Sequence, residues 1–141
     1  MIIRVAALDD AELIAALVSD LGYPSAPAQV RKRLAAMSRD RATLAVVAED
    51  DSVVTGLATA HALTTVHTDQ LVVLLTALVV VEAARRKGVG RALVTHVEEW
   101  AAFQGARRLT VVAGTQRLDS HRFYERLGYA HTGLRYVREL K

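Results

Sequence analysis

Val79-Val80-Val81-Glu82-Ala83-Ala84-Arg85-Arg86-Lys87-Gly88-Val89-Gly90-Arg91-Ala92-Leu93 is the stretch on which the fold turns. Upstream, Leu71 to Val81 is an almost unbroken apolar run, which predicts a central strand covered on both faces. Downstream, Val89, Leu93, Val97 and Ala101 recur every four residues and predict a helix that stops near Gly105. A strand therefore feeds a helix through two glycines and four cations. The first amides of a helix have no carbonyl one turn earlier, and the helix dipole favours an anion beside them. Gly88 and Gly90 place no Cβ in the way, while Arg85, Arg86, Lys87 and Arg91 surround the turn with positive charge. A phosphate or pyrophosphate suits such a turn. A plain basic bend would carry the same glycines, since short Gly-x-Gly motifs are common. Known nucleotide loops do not fit. A Rossmann turn needs a third glycine where Leu93 stands, and no Gly-Lys-Ser/Thr of a Walker A loop is present.

Working outward, Ile2 to Ala6 reads as a short strand. Asp9 is placed to cap a helix, with Glu12 at the capping-box spacing. Leu13, Leu17 and Leu21, with Ile14 and Val18 beside them, form an apolar helical stripe that Gly22 ends. A second helix is expected from about Pro27 to Met37, with Val30, Leu34 and Met37 inward and Arg31, Lys32 and Arg33 outward. Thr43 to Glu49 and Ser52 to Ala62 read as a hairpin joined at Asp50-Asp51. After the central segment come a strand over Arg108 to Ala113, a helix over Leu118 to Leu127 closed by Gly128, and a last strand over Tyr129 to Val137. This order, β-α-α-β-β-β-α-β-α-β, defines a mixed α/β domain spanning 1–141.

The 141 residues are 52% apolar, enough for a core and too many for a disordered chain. No apolar run reaches the length of a membrane span, and Met1 to Arg4 lacks the pattern of a secretory leader. The cysteine count is zero, which excludes disulfides, a thiol nucleophile and Cys-based zinc sites, and is compatible with a cytoplasmic protein. His61, His67 and His96 do not have the spacing of a metal motif, so no metal is expected. Charge is uneven. Residues 1–84 hold 6 basic and 10 acidic side chains, net −4, and residues 85–141 hold 12 and 5, net +7. The basic half calls for an anionic partner.

At this point the chain resembles the GCN5-related N-acetyltransferase family. Arg85-Arg86-Lys87-Gly88-Val89-Gly90 matches its Arg/Gln-x-x-Gly-x-Gly/Ala acetyl-CoA motif. Arg117-Leu118-Asp119-Ser120-His121-Arg122-Phe123-Tyr124-Glu125-Arg126-Leu127-Gly128-Tyr129 matches a second element. The resemblance implies a mostly antiparallel central sheet with flanking helices, whose strands near 71–81 and 108–113 part to admit acetyl-CoA. It implies that pantetheine pairs with the backbone of Leu78, Val79 and Val80, and that pyrophosphate lies on the amides from Arg86 through Arg91, Val89 included. Ser120 is expected beside the pantetheine arm. Tyr124 is expected to serve the leaving thiolate, and the amide of Val79 or Val80 to meet the developing oxyanion.

No general base is evident. Many members of that family carry a Glu on the central strand, where this chain has Leu74-Leu75-Thr76-Ala77. Tyr23, His61, His67 and Asp69 are the candidates for the acceptor side, and a water relay is the alternative. The expected activity is direct acetyl transfer from acetyl-CoA to a primary amine of a small molecule or protein. The competing expectations are a catalytically idle acetyl-CoA-binding domain and a basic nucleic-acid-binding module. The latter lacks interleaved aromatics, so the partners expected are acetyl-CoA and an amine, without nucleic acid or membrane. A homodimer through the last strand is a further expectation.

Overall fold

The computed structural model describes residues 1–112 and 118–140. These fall into two compact units, Met1–Thr110 and Val111–Lys141, each taken by itself below. The strands are β1 (Ile2–Val5), β2 (Thr43–Asp50), β3 (Val53–Leu63), β4 (Val72–Val80) and β5 (Leu109–Val111). The helices are α1 (Ala11–Asp20), α2 (Pro27–Ser38), α3 (Val89–Phe103) and α4 (Leu118–Arg126). The sheet order is β1-β2-β3-β4-β5, and β1 to β4 are joined antiparallel. The expected mixed α/β class with a mostly antiparallel sheet is therefore the observed one.

Cross-strand partners share a face, so register assigns each side chain to a layer. Leu57 opposite Val47 and Val79 faces α1 and α2, where it joins Ile14, Leu17, Val30 and Leu34 in one apolar cluster. The alternate residues Val46, Ala58 and Ala60 face α3, which packs across β2, β3 and β4 with Leu93, Val94 and Val97 buried. Gly56 lies on this second face. A Cβ there would stand 2.9 Å from Leu93 Cδ1 and 3.2 Å from both Val79 O and Val89 Cγ1, so the missing side chain lets the start of α3 approach the sheet.

Several expectations are corrected. Helix α1 begins at Ala11 with no side-chain cap, and Asp10 instead closes the 3₁₀ turn Leu8–Asp10 before it: its Oδ2 accepts the Ala7 amide at 2.7 Å. Asp10 also takes a two-pronged bond from Arg4 (2.8 and 2.9 Å), and Arg4 reaches Glu49 at 3.3 Å. This pairing holds the Asp10 carboxyl below the usual carboxylate range. The buried stripe of α1 is Ala11, Ile14, Ala15 and Leu17, and Leu13 points outward. The hairpin turn is Asp51-Ser52, one residue later than expected. Both residues adopt positive φ (48° and 65°), as a two-residue turn between right-twisted strands requires.

The central strand is not covered on both faces. Register slips between Thr59 and Ala60, so Thr59 opposes Ala77 while Ala60 opposes Leu75, leaving Thr76 as a bulge without a β3 partner. Val73 and Leu75 before the bulge face α3, whereas Val79 after it faces α1 and α2. Thr76 itself is exposed.

In the second unit, α4 ends as expected. Gly128, at φ 93°, donates to Glu125 O, and the Tyr129 amide donates to Tyr124 O, a Schellman closure. No strand forms over 129–140. Leu134, Tyr136 and Val137 are exposed there, and an apolar, aromatic composition does not by itself make a strand. The end of the expected strand at Ala113 and the first motif residue, Arg117, lie outside the described residues. Among the described residues no helix is long and apolar enough to cross a membrane.

Candidate active site

The β4–α3 turn is built as its sequence suggested, with one change. Val81 and a single 3₁₀ turn, Glu82–Ala84, carry the chain out of the sheet. Arg86 (φ 64°) and Gly88 (φ 85°) are both left-handed, and these two reversals aim the chain into α3. A Cβ at Gly88 would meet nothing within 4 Å, so glycine is required there by backbone conformation rather than by space. Arg86, Lys87, Gly88 and Arg91 are exposed around the first turn of α3, Gly90 is half-buried, and Val89 is buried as the anchor of that turn. Arg85 does more than surround the turn with charge. Its Nε donates to Val80 O at 3.0 Å, so it ties the turn back to the end of the strand.

Val80 and its neighbours divide by alternation. The Val81 amide donates to Thr55 O on β3 at 2.9 Å. Backbone polar groups on a strand alternate in direction, so those of Val79 point into β3 and those of Leu78 and Val80 point away from it, to the side of β4 on which β5 lies. The bond from Arg85 to Val80 O fits that direction. Of the three residues expected to meet pantetheine, Leu78 and Val80 present outward-turned amides, and Val79 is engaged with the sheet.

The acceptor-side candidates lie on different elements. His61 on β3 opposes Thr43 and Leu74 and is half-buried on the face toward α1 and α2. Tyr23, 62% exposed, follows α1, and its amide donates to Val18 O at 3.1 Å. His67 and Asp69 are exposed in the β3–β4 connection. Sequence reading missed the hydroxyl pair beside His61. Thr59 Oγ1 and Thr76 Oγ1 are 2.7 Å apart, brought together by the bulge. It also missed Gly56; an isolated glycine in a strand was the available signal. Glu82 is exposed, as expected for a turn charge.

Ser120 and Tyr124 belong to the second unit, on α4. Tyr124 is half-buried and packs edge-on against Phe123 (5.1 Å between ring centres) and Tyr129 (5.8 Å). Those contacts fix the ring plane, so the hydroxyl has a defined direction.

An apolar strand with outward amides, running into a cationic helix start, is suited to an extended thioester cofactor that ends in phosphates. The family model described as "Acetyltransferase (GNAT) family" matches residues 10–129. The chain belongs to the GNAT family, whose members are acetyl-CoA-dependent N-acetyltransferases. It is 41% identical over 51 residues to an aminoglycoside N(6')-acetyltransferase type 1 of Serratia marcescens, a match covering 36% of this chain and 35% of that protein. Among solved structures, a putative acetyltransferase from Agrobacterium tumefaciens str. C58 shares the fold with TM-score 0.88 at 22% identity, over 99% of this chain and 100% of that one. AAC(6')-Iy, in complex with the bisubstrate analog CoA-S-monomethyl-acetylneamine, does so with TM-score 0.86 at 20% identity, over 99% and 97%.

Proposed function

We propose that this chain moves an acetyl group directly from acetyl-CoA to a primary amine of a small molecule or protein. The observation that carries this reading is the β4–α3 junction: outward amides at Leu78 and Val80 continue into an exposed cationic helix start. The residues present fit the cofactor. Leu78 and Val80 would pair with pantetheine, while the amides from Arg86 through Arg91, with the side chains of Arg86, Lys87 and Arg91, would hold the pyrophosphate. Bound acetyl-CoA supplies an acetyl thioester.

In the transfer, the neutral amine's lone pair forms a C–N bond to the acetyl carbon as the C–S bond breaks. The Val80 amide donates to the carbonyl oxygen as negative charge develops on it. Arg85 braces the same peptide region from the Val80 carbonyl. Tyr124, by its place in the Phe-Tyr-Glu-Arg-Leu-Gly-Tyr motif, gives a proton to the departing sulfur, and Ser120 hydrogen-bonds the pantetheine arm. The ammonium formed on the acceptor loses its proton to water, and the Tyr124 phenolate takes one back from water. Zero cysteines support direct transfer, because no side-chain thiol is present to carry the group.

Two measurements test this reading. Acetyl-CoA should raise the melting temperature while an oligonucleotide of equal charge does not. Thiol release from acetyl-CoA should then depend on an added amine. Stabilisation by acetyl-CoA with no thiol release across amines, amino acids, aminoglycosides and peptides would instead identify an idle binding domain. The proposed setting is cytoplasmic, with a homodimer as the proposed assembly.

A further inference from the structure

The edge strand β1 carries apolar side chains on a face that α3 does not fully cover. Ile3 pairs with Ala48 and Val5 with Val46, so both point to the α3 side of the sheet. Ile3 is half-buried, and Val5 is 68% exposed. Beside them an open cleft of about 440 Å³ has Ile3 as one wall and Arg91, Ala92, Thr95, His96 and Glu99 of α3 as the other. The same helical stripe continues one turn to Phe103, which is 88% exposed. Among the described residues, neither Arg91 nor Glu99 has an ion-pair partner.

A ridge beside a groove is self-complementary: about a two-fold axis, each ridge lies in the groove of the other copy. Here the ridge is α3 and the groove is its own flank against β1. The charges obey the same symmetry. Arg91 and Glu99 stand four residues either side of Thr95, about 12 Å apart along the helix. A second copy turned antiparallel about Thr95 sets its Glu99 against Arg91 and its Arg91 against Glu99. A parallel copy sets like against like. Ala92 and Thr95 are small enough for the two helix axes to approach to about 8–10 Å, which covers Ile3 and Val5.

We propose that this chain pairs with a second copy through the cleft between α3 and β1, antiparallel about Thr95, and that the partner's Glu99 takes Arg91 of the donor turn. The pairing rests on the homodimer reading above and places the contact on α3 and β1 rather than on the last strand. Its link to the donor rests on the acetyl-CoA reading. Gly88 and Arg91 line the cleft and also belong to the turn proposed to hold pyrophosphate. One guanidinium then serves two anions. What donor binding loses to the partner's carboxylate, pairing loses equally to the donor. Acetyl-CoA therefore loosens the dimer, and dimerisation weakens acetyl-CoA binding.

Sedimentation velocity of the full chain, from about 1 to 100 μM, tests the pairing. Glu99→Arg and Arg91→Glu, both at exposed positions, each bring like charges together twice per dimer and should weaken association by about tenfold. The double variant Arg91→Glu/Glu99→Arg reinstates both pairs with their signs exchanged and should dimerise like the parent. Val5→Lys should weaken association while the far-UV circular dichroism stays that of the parent. Saturating acetyl-CoA should raise the parent's dimer dissociation constant by about fivefold or more. A parent that stays monomeric overturns the homodimer and this inference together. A dimer indifferent to either reversal or to Val5→Lys, or not restored in the double variant, overturns the inference and leaves the homodimer to another surface. A dimer that obeys the reversals but ignores acetyl-CoA overturns the shared use of Arg91, and the thermal shift with acetyl-CoA tells whether the donor reading falls with it.

Discussion

The β4–α3 turn and the bulged face of β3 and β4 sit on the same strand and are made in opposite ways. The turn is made of backbone: left-handed Arg86 and Gly88, outward amides, and a glycine at position 56 that lets α3 close on the sheet. The bulged face is made of side chains, Thr59, Thr76 and His61, brought together by a one-residue slip in register. A backbone site tolerates change in side chains and resists change in conformation. A side-chain site does the reverse. Donor binding and acceptor choice should therefore respond to different classes of substitution.

The largest expected effect would place chemistry outside both regions. Tyr124→Phe should lower kcat by about 100-fold, the lower range for loss of a general acid, with acetyl-CoA affinity unchanged. An unaltered kcat would remove Tyr124 from the reaction and leave the two regions of the first unit to account for it. Next comes Gly56→Val. Added atoms would press Leu93, Val89 and the Val79 carbonyl, at a cost of about 1–3 kcal/mol in folding stability. Urea unfolding and acetyl-CoA titration should show both stability and donor affinity reduced. A variant that binds acetyl-CoA normally would detach Gly56 from the donor side.

The Arg4–Asp10 pair sharpens the acceptor side, since it fastens the start of α1 to β1. Its carboxyl titrates below its unfolded value, chiefly through the Arg4 bond, with burial opposing and the Ala7 amide assisting. The stabilisation is therefore complete above about pH 4, the unfolded carboxyl value, and is lost as pH falls below it. Asp10→Asn should cost about 1 kcal/mol at pH 7 for this partly exposed pair and flatten that acid dependence in denaturant midpoints. An unchanged acid limb would mean that another carboxylate sets it. The smallest effect is expected from Lys87→Ala. One exposed charge is worth about 0.2–1 kcal/mol, so acetyl-CoA affinity should fall up to about fivefold, and less at high salt. A loss independent of salt would make Lys87 part of the turn's architecture.

The sequence displayed the backbone-built region and concealed the other for a physical reason. Helix α3 announces itself because every fourth residue from Val89 to Ala101 is apolar and buried. Gly88 is legible because left-handed backbone before a helix has a strong residue preference. The bulge at Thr76 leaves no such mark. Leu74-Leu75-Thr76-Ala77 has no turn residue, and only pairing with β3 reveals which side chain is unpartnered. Asp9 reads as a cap, yet α1 starts without a side-chain cap, and Asp10 is turned back to Ala7 and Arg4, a partner that only β1 brings near. Leu13 fits the apolar stripe of α1 by spacing, yet the small side chains Ala11 and Ala15 are what fit against the neighbouring layer. In the second unit, Tyr129 to Val137 has the composition of a strand, but strand formation depends on a partner the segment does not itself encode.

The bulge has one more consequence. A position with no ladder partner is one where the side chain can be exchanged without repacking either layer of the core. Thr76 is such a position, exposed on the strand that leads into the cationic turn. A single surface codon can thus change there at little risk to the folding of either layer.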